Sequence, residues 1–140
     1  MDWTIEFDKA IEQYLPDLEV LQDEPMSRHT TFRIGGPAKR MAFPSSREQL
    51  VLLLSFAKNY GANPLVIGNG SNLLVPDEGL DRLVIDTSAN LNRVERGSGN
   101  TVLADAGATL ARTADLACKS GLTGLEFAHG IPGTVGGGVC

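Results

Sequence analysis

Residues 64–75 place the tightest constraint on how this chain can fold. An apolar run at 65–67 stands between a proline and a glycine, which is typical of a short buried strand. The loop that follows, residues 68–72, reads Gly-Asn-Gly-Ser-Asn and has no bulky side chain. Glycines let a backbone approach a ligand closely, and consecutive N–H groups in such a turn can bind an anion. The segment therefore predicts a strand that leads into a loop suited to phosphate or pyrophosphate.

Two well-known phosphate-binding loops do not match this segment. A Walker loop requires a lysine before its serine or threonine, and no lysine follows the glycines here. A Rossmann fingerprint would need glycine at the position of Leu73. The alternative without a ligand is a type I′ turn at Asn69-Gly70 in a plain hairpin. The loop sequence by itself favours neither the phosphate loop nor the plain turn.

The residues before the loop predict a strand, a helix and a second strand. Residues 39–43 are typical of a strand, and Ser46 with Gln49 fits a capping box that begins a helix. Leucines and an alanine at i, i+3, i+4 and i+7 give that helix one apolar face, and Gly61 suits its end. In open α/β sheets, ligands collect at the carboxyl ends of strands. The position of the glycine loop after the second strand therefore favours a binding site over a plain turn.

The N-terminal third of the chain predicts a helix and connecting segments. The helix begins with Thr4 as N-cap, and Trp3 and Tyr14 are expected to pack it on the body. The apolar residues at roughly helical spacing are Ile5, Ala10, Ile11, Tyr14 and Leu15. Residues 18–25 are expected to form an acidic connector, and residues 31–34 a short extended segment.

The C-terminal half predicts a third strand, a hairpin and another helix. The strand covers residues 83–85, and the hairpin joins residues 90–95 to 101–106. The helix takes Thr109 as N-cap and ends at Gly121, with Cys118 in the core.

Composition excludes several classes of protein. A chain of 140 residues with 42% apolar content is enough for about one domain. Its net charge is -5 and its basic residues are scattered, so a nucleic-acid partner is not expected. The longest aliphatic run, residues 50–54, is too short to span a bilayer, and the acidic N-terminus does not resemble a signal peptide. Two cysteines make no disulfide framework. We expect a soluble cytoplasmic protein without a membrane partner.

A second glycine-rich segment lies near the C-terminus. Seven of the 16 glycines fall within residues 121–138, and Pro132 suits the first turn of a helix. A glycine-lined helix start would offer N–H groups and a dipole to an anion. A flexible linker is the alternative, but Phe127, Ile131 and Val135 make the segment too apolar for one. Two such sites suit a long diphosphate ligand better than one phosphate.

Because the chain stops at Cys140 inside this segment, we expect a truncated product.

Three motifs carry a resemblance to a known family: Thr31-Phe-Arg-Ile-Gly-Gly-Pro-Ala38, Val66-Ile-Gly-Asn-Gly-Ser-Asn-Leu-Leu74 and Gly124-Leu-Glu-Phe-Ala-His-Gly-Ile-Pro-Gly-Thr-Val-Gly-Gly137. Their order and spacing resemble the N-terminal part of the UDP-N-acetylenolpyruvoylglucosamine reductases, flavoenzymes of bacterial peptidoglycan synthesis. The resemblance implies an α+β, vanillyl-alcohol-oxidase-like (PCMH-type) FAD-binding fold, incomplete at its C-terminal end. It implies an N-terminal helix and connector (1–25), a first FAD-binding subdomain (26–89) and the start of a second, truncated one (90–140).

The resemblance also implies noncovalent FAD, held mainly through its pyrophosphate. Relatives with covalently attached flavin often carry histidine where this chain has Ser71. The cofactor-binding positions that it implies lie in the two glycine segments: Ile67, Gly68, Asn69, Gly70, Ser71, Asn72 and Leu73, then Gly130, Ile131, Pro132, Gly133, Thr134, Gly136 and Gly137.

The family's reaction implies further partners. NADPH reduces the flavin, which then reduces UDP-N-acetylglucosamine enolpyruvate to UDP-N-acetylmuramate. The family's catalytic serine, arginine and glutamate match no position before Cys140, so no catalytic residue is assigned here and the chain alone is expected to be inactive. Arg33 could meet an anionic ligand or be solvated, and His129 could touch flavin or fill space. The alternatives to the reductase are a noncatalytic flavin- or nucleotide-binding module and another oxidase of the same fold.

Overall fold

The structure is a computed structural model that describes residues 2–140. These residues form four α-helices, α1 (Thr4–Tyr14), α2 (Arg47–Tyr60), α3 (Leu110–Lys119) and α4 (Val135–Val139). They also form six strands, β1 (Glu19–Pro25), β2 (Pro37–Phe43), β3 (Leu65–Ile67), β4 (Leu80–Asp86), β5 (Val94–Arg96) and β6 (Val102–Ala104). Two single-turn 3₁₀ helices, Met26–Arg28 and Glu126–Ala128, complete the described elements.

The main sheet has the strand order β1-β2-β4-β3. Strands β2, β4 and β3 are parallel, and β1 runs antiparallel to β2 at one edge. The predicted strand, helix and strand are β2, α2 and β3, with β4 inserted between the two strands. Strand β3 is an edge strand with Val66 half exposed, so it is less buried than its apolar sequence predicts. The loop at 68–72 leaves the carboxyl end of β3, as predicted.

Strand β1 corrects one prediction. The sequence predicts an acidic connector over residues 18–25, but residues 19–25 pair with β2 along its length. Partners such as Val20 with Ala42 and Leu21 with Met41 hold this strand in register. Its charged residues lie at the sheet edge, where charge discourages pairing with another chain. These same charges made the segment resemble a connector.

The sheet packs a core on each face. Helices α1 and α2 cover one face, where Phe7, Leu53 and Ile85 are fully or almost fully buried. Burying side chains of this size stabilises the fold by roughly 1.5–3 kcal/mol each. The opposite face buries Met41 and Val84 under the segments that flank β2 and follow β3. Alternation of side chains along β2 and β4 produces the two cores.

The ends of α1 and α2 test the predicted caps. The Ser46 side chain accepts a hydrogen bond from the Gln49 N–H (3.1 Å), which confirms the start of α2, and Gly61 ends it at φ +73°. In a capping box the Gln49 side chain would accept from the N–H of the N-cap residue Ser46. Here it accepts from the N–H of the preceding residue, Ser45 (2.8 Å). Thr4 is not an N-cap, since it lies inside α1 and its N–H and hydroxyl donate to Asp2.

Two side chains of α1 do not face the core. Ile5 and Tyr14 are exposed, contrary to the predicted buried face, although Tyr14 lies beside the Phe56 ring at a centroid distance of 5.7 Å. Trp3 is buried as predicted, and its ring meets Phe7 edge to face at 5.4 Å. The helix therefore packs through a face that contains Phe7 and Ile11.

The C-terminal half contains the predicted hairpin and helix. Strands β5 and β6 pair antiparallel, and the Thr109 side chain caps α3 by accepting from the N–H of Arg112 (3.1 Å). Cys118 is exposed, so the prediction that it packs in the core is wrong. Across residues 2–140, none of the helices combines the length and apolar character needed to cross a membrane.

Candidate functional site

The two glycine-rich segments meet at one cleft of about 340 Å³. The loop after β3 forms one wall, and the segment that enters α4 forms the other. The lining residues are Ile67, Gly68, Asn69, Gly70, Ser71, Asn72, Leu73, Leu110, Ile131, Pro132, Gly133, Thr134, Gly137 and Gly138. The structure thus brings together twelve of the fourteen positions expected to bind the cofactor.

Two expected positions lie outside this cleft, and two further residues line it. Gly130 faces open space, and the N–H of Gly136 donates to the carbonyl of Ala106 (2.9 Å). The additional lining residues are Leu110, at the start of α3, and Gly138, whose neighbour across the gap is the Leu110 side chain. The apolar pattern of α3 gave no signal that its first residue would reach a cleft.

Backbone bonds fix the second wall to the start of α3. The N–H of Leu110 donates to the carbonyl of Gly133 (3.1 Å), and the N–H of Val135 donates to that of Ala108 (2.8 Å). Between these bonds Thr134 is only 3% exposed, and its hydroxyl accepts from the N–H of Gly137 (3.3 Å). Thr134 is therefore the N-cap of α4, whereas Pro132, predicted in the first helical turn, precedes the helix.

Gly68 and Thr134 bring the two walls into contact. A Cβ added at Gly68 would overlap the Thr134 hydroxyl oxygen and lie 2.8 Å from its methyl group. No side chain fits between these positions without movement, because real Cβ contacts are longer. Gly68 therefore sets how closely the walls approach each other.

The first wall holds unused hydrogen-bond donors. Within residues 2–140, none of the backbone N–H groups from Gly68 to Asn72 donates a hydrogen bond to the chain, and neither do those of Gly133 and Thr134. The cleft also contains the polar side chains of Asn69, Ser71 and Asn72. Neutral donors grouped in one loop in this way can bind an anionic oxygen group.

The start of α4 does not supply the donors that the sequence predicts. The N–H groups of Val135, Gly136 and Gly137 are already bonded to Ala108, Ala106 and the Thr134 hydroxyl. The second segment therefore contributes the loop before α4 rather than the helix terminus.

Gly70 serves the packing of the chain itself. Its φ is +69°, and an added Cβ would overlap the carbonyl oxygen of His29. Its own carbonyl accepts from the N–H of Thr31 (3.1 Å). The glycine loop and the segment that begins the first sequence motif are thus packed directly against each other.

Charged side chains lie beside the cleft rather than in it. None of its described lining residues carries a charge. A neighbouring cleft shares Asn69 with it and contains Arg28, His29 and Arg33. The His29 ring is bonded to Glu24 (Nε2 to Oε1, 2.9 Å).

His129 and Glu126 lie in a third cleft that also contains Cys118. The backbone N–H groups of Glu126 itself and of Gly124 lower the pKa of the Glu126 carboxyl. This carboxylate therefore stabilises the local 3₁₀ turn, and neither it nor His129 lines the glycine cleft.

Comparison with known proteins gives similarity over most of the chain. Residues 38–140 match the family described as FAD binding domain. A UDP-N-acetylenolpyruvoylglucosamine reductase of Moorella thermoacetica is 51% identical over 122 residues, which are 87% of this chain and 40% of that protein. The crystal structure of the corresponding reductase from Thermus caldophilus is 33% identical with a TM-score of 0.60, covering 87% of this chain and 41% of that one.

A more distant structure shares the fold. Cholesterol oxidase from B. sterolicum is 17% identical with a TM-score of 0.57, covering 75% of this chain and 21% of that one. The chain spans less than half of the length of the curated relatives that it matches. It covers 40% of the Moorella thermoacetica protein and 46% of the Agathobacter rectalis protein.

Proposed function

The chain belongs to the FAD-binding domain family, and from this we propose that it is the flavin-binding part of a UDP-N-acetylenolpyruvoylglucosamine reductase. Its fold is the predicted α+β, vanillyl-alcohol-oxidase-like (PCMH-type) FAD-binding fold. Identity of 51% to the Moorella thermoacetica reductase, against 17% to cholesterol oxidase, favours the reductase over another oxidase of this fold.

One observation carries the assignment of FAD to this chain. The two glycine segments converge on one cleft whose backbone N–H groups are free to bind an oxygen-rich ligand. A volume of about 340 Å³ is near the lower end of the range for drug-sized ligands, so the cleft suits part of a dinucleotide. We assign the pyrophosphate of FAD to the loop 68–73 and to residues 131–134, with Gly137 and Gly138 beside them. Noncovalent binding is part of the same proposal, since Ser71 stands where relatives with covalently attached flavin often carry histidine.

The reaction belongs to the whole protein. When bound, FAD would supply hydride transfer from NADPH to the enolpyruvyl group of UDP-N-acetylglucosamine enolpyruvate, which yields UDP-N-acetylmuramate for peptidoglycan synthesis and thus for cell shape and division. This chain's role is to bind and orient the cofactor with neutral donors, and no catalytic residue is assigned to it. A cytoplasmic location and the subdomains 26–89 and 90–140 are parts of the same proposal.

A pair of glycine variants tests the cofactor site. The purified chain is incubated with FAD, separated from free ligand and examined by visible absorption. We expect the wild-type chain to retain flavin bands and Gly137→Val to weaken FAD binding at least tenfold, because a valine there projects into the cleft. Gly130→Val is the matched control, since an added Cβ there meets no atom within 4 Å.

Two outcomes would overturn this assignment. A wild-type chain without retained flavin would contradict FAD binding by this chain, and equal affinity in both variants would remove the cleft from the site. For the reaction, the full-length protein should oxidise NADPH in repeated turnovers only when UDP-N-acetylglucosamine enolpyruvate is present to reoxidise the flavin. Flavin binding without that oxidation would favour another oxidase or a noncatalytic module.

A further inference from the structure

A basic cleft adjoins the glycine loop and is not used by the site described above. Its volume is about 680 Å³, and Arg28, His29 and Arg33 line it together with Thr31, Ser88 and Asn69. Asn69 also lines the glycine cleft, so the two clefts share one lining residue. Such a concentration of basic side chains is unexpected on a chain with a net charge of -5.

The basic cleft is built onto the glycine loop by short contacts. The N–H of Thr31 donates to the carbonyl of Gly70 (3.1 Å), and Gly70 packs against the carbonyl of His29. The Thr30 hydroxyl donates to the carbonyl of Ile34 (3.2 Å), which closes the turn that carries Arg33. The side chain of Arg33 is therefore presented by the same rigid unit that presents the free N–H groups of the loop.

The backbone at Arg33 is in the left-handed region, with φ +55°. Residues other than glycine adopt this conformation rarely, and such exceptions cluster at ligand sites. Asparagine or glycine would meet the backbone requirement with less strain.

Two acidic side chains bear on the basic cleft, because Asp86 lines it and Glu24 lies against His29 and Arg28. Glu24 contacts His29 (2.9 Å) and, at 3.8 Å, Arg28. Asp86 accepts from the N–H and hydroxyl of Ser88, both at 2.7 Å, and from the N–H of Ala89. Within residues 2–140, no carboxylate lies within salt-bridge distance of the Arg33 guanidinium. Its charge is available to a ligand.

We propose that the basic cleft is a second anion-binding site, in which Arg33, assisted by Arg28, binds a phosphate group beside the glycine-loop cleft. The guanidinium supplies the charge that the neutral glycine cleft lacks, and its planar donors suit two phosphate oxygens. The inference rests on the proposed function, because it assigns the second cleft to the same nucleotide chemistry. The phosphate is either one of the two in the FAD pyrophosphate, reached from the side of the glycine loop where Asn69 lines both clefts, or that of a separate phosphorylated ligand.

Binding measurements with charge variants test this site. Arg33→Asn removes the charge and keeps the left-handed backbone, Arg33→Lys keeps a charge, and Lys58→Gln is the charge-matched control on α2 away from both clefts. FAD and riboflavin are titrated by flavin fluorescence, and inorganic pyrophosphate is tested by its effect on the melting temperature, with and without FAD. Circular dichroism confirms the fold of each variant.

Two results support the site and identify the source of the phosphate. Loss of FAD affinity of about tenfold in Arg33→Asn, with riboflavin unaffected and partial recovery in Arg33→Lys, assigns it to the dinucleotide. Unchanged FAD affinity, with stabilisation by pyrophosphate lost only in Arg33→Asn, assigns it to a separate ligand. Either effect should shrink as salt is added.

The inference is overturned if Arg33→Asn behaves like Lys58→Gln toward both FAD and pyrophosphate. Failure of the proposed function has a different signature. In that case the wild-type chain would not bind FAD, while pyrophosphate would still stabilise it through Arg33.

Discussion

Gly68→Ala should destabilise the chain because Thr134 occupies the space that a Cβ needs. The added Cβ would lie 2.8 Å from the Thr134 methyl carbon and 3.0 Å from its Cβ, besides overlapping the hydroxyl oxygen. Overpacking of this kind costs about 1–3 kcal/mol, and the lower entropy of the unfolded alanine chain offsets about 0.4–1 kcal/mol. We expect a net loss of about 1–2 kcal/mol, or a fall of roughly 3–7 °C in Tm.

A double-mutant cycle isolates this contact. Thr134→Ala alone should cost about 1 kcal/mol, because Gly137 loses the hydroxyl that caps α4. In the double variant the alanine at position 68 no longer meets the hydroxyl or methyl of Thr134. Its cost should therefore be about 1 kcal/mol less than the sum of the two single costs.

Urea unfolding at equilibrium measures each cost, and Gly130→Ala serves as the control because its added Cβ meets open space. Additive costs, within about 0.5 kcal/mol, would refute the direct contact of the two cleft walls at Gly68 and Thr134.

Three further predictions concern pH, thiol exposure and the apolar surface. The Trp3 indole N–H, together with Lys39, lowers the pKa of the Asp81 carboxyl in the folded chain. The ionised Asp81 therefore stabilises the fold fully above the ordinary aspartate pKa of about 3.9, and this stabilisation is lost as the pH falls through the lower pKa of the folded state. Asp81→Asn should therefore lose less stability than wild type between pH 5 and pH 3, measured by Trp3 fluorescence in urea, and equal losses would contradict this. Cys118 and Cys140 are both exposed, so both thiols should react with a chromogenic disulfide in the native chain, whereas one reactive thiol would restore the predicted burial of Cys118. Phe127 is 71% exposed, so Phe127→Ser should reduce binding of an apolar dye with a change in stability under about 0.5 kcal/mol, and unchanged dye binding would place the apolar surface elsewhere.

Local patterns predicted the elements that position the site. Ser46, Gly61 and Thr109 mark helix ends through contacts with residues at most four positions away, so their roles can be inferred from spacing alone. The loop after β3 was located in the same way, from a short apolar run followed by glycines.

Contacts between distant segments could not be predicted in this way. Strand β1 forms only because β2 pairs with it, and its acidic side chains conceal that partner. The donors at the start of α4 are occupied by carbonyls of Ala106 and Ala108, about thirty residues earlier. Spacing within one segment contains no information about such partners.

Glycines in the two binding motifs have different physical reasons to be glycine. Gly70 has a left-handed φ of +69° and packs against the carbonyl of His29, so a side chain there collides with the protein itself. Gly137 lines the cleft, and its added Cβ would meet only the Thr134 hydroxyl at 3.4 Å, an ordinary contact. A substitution at Gly70 therefore changes folding and binding together.

A substitution at Gly137, unlike one at Gly70, should separate the effect on cofactor binding from the effect on folding. The loop sequence alone predicts that Gly70→Val abolishes cofactor binding with little loss of secondary structure, because the loop glycines are interpreted as room for a ligand. Because the structure places the Gly70 side chain position against His29, we expect that variant to lose stability even without cofactor. Gly137→Val should instead lose FAD affinity while it retains the melting temperature of the cofactor-free chain to within a few degrees, about the effect of 1 kcal/mol. Equal losses of stability in the two variants would show that Gly137, too, is required by the fold rather than by the ligand.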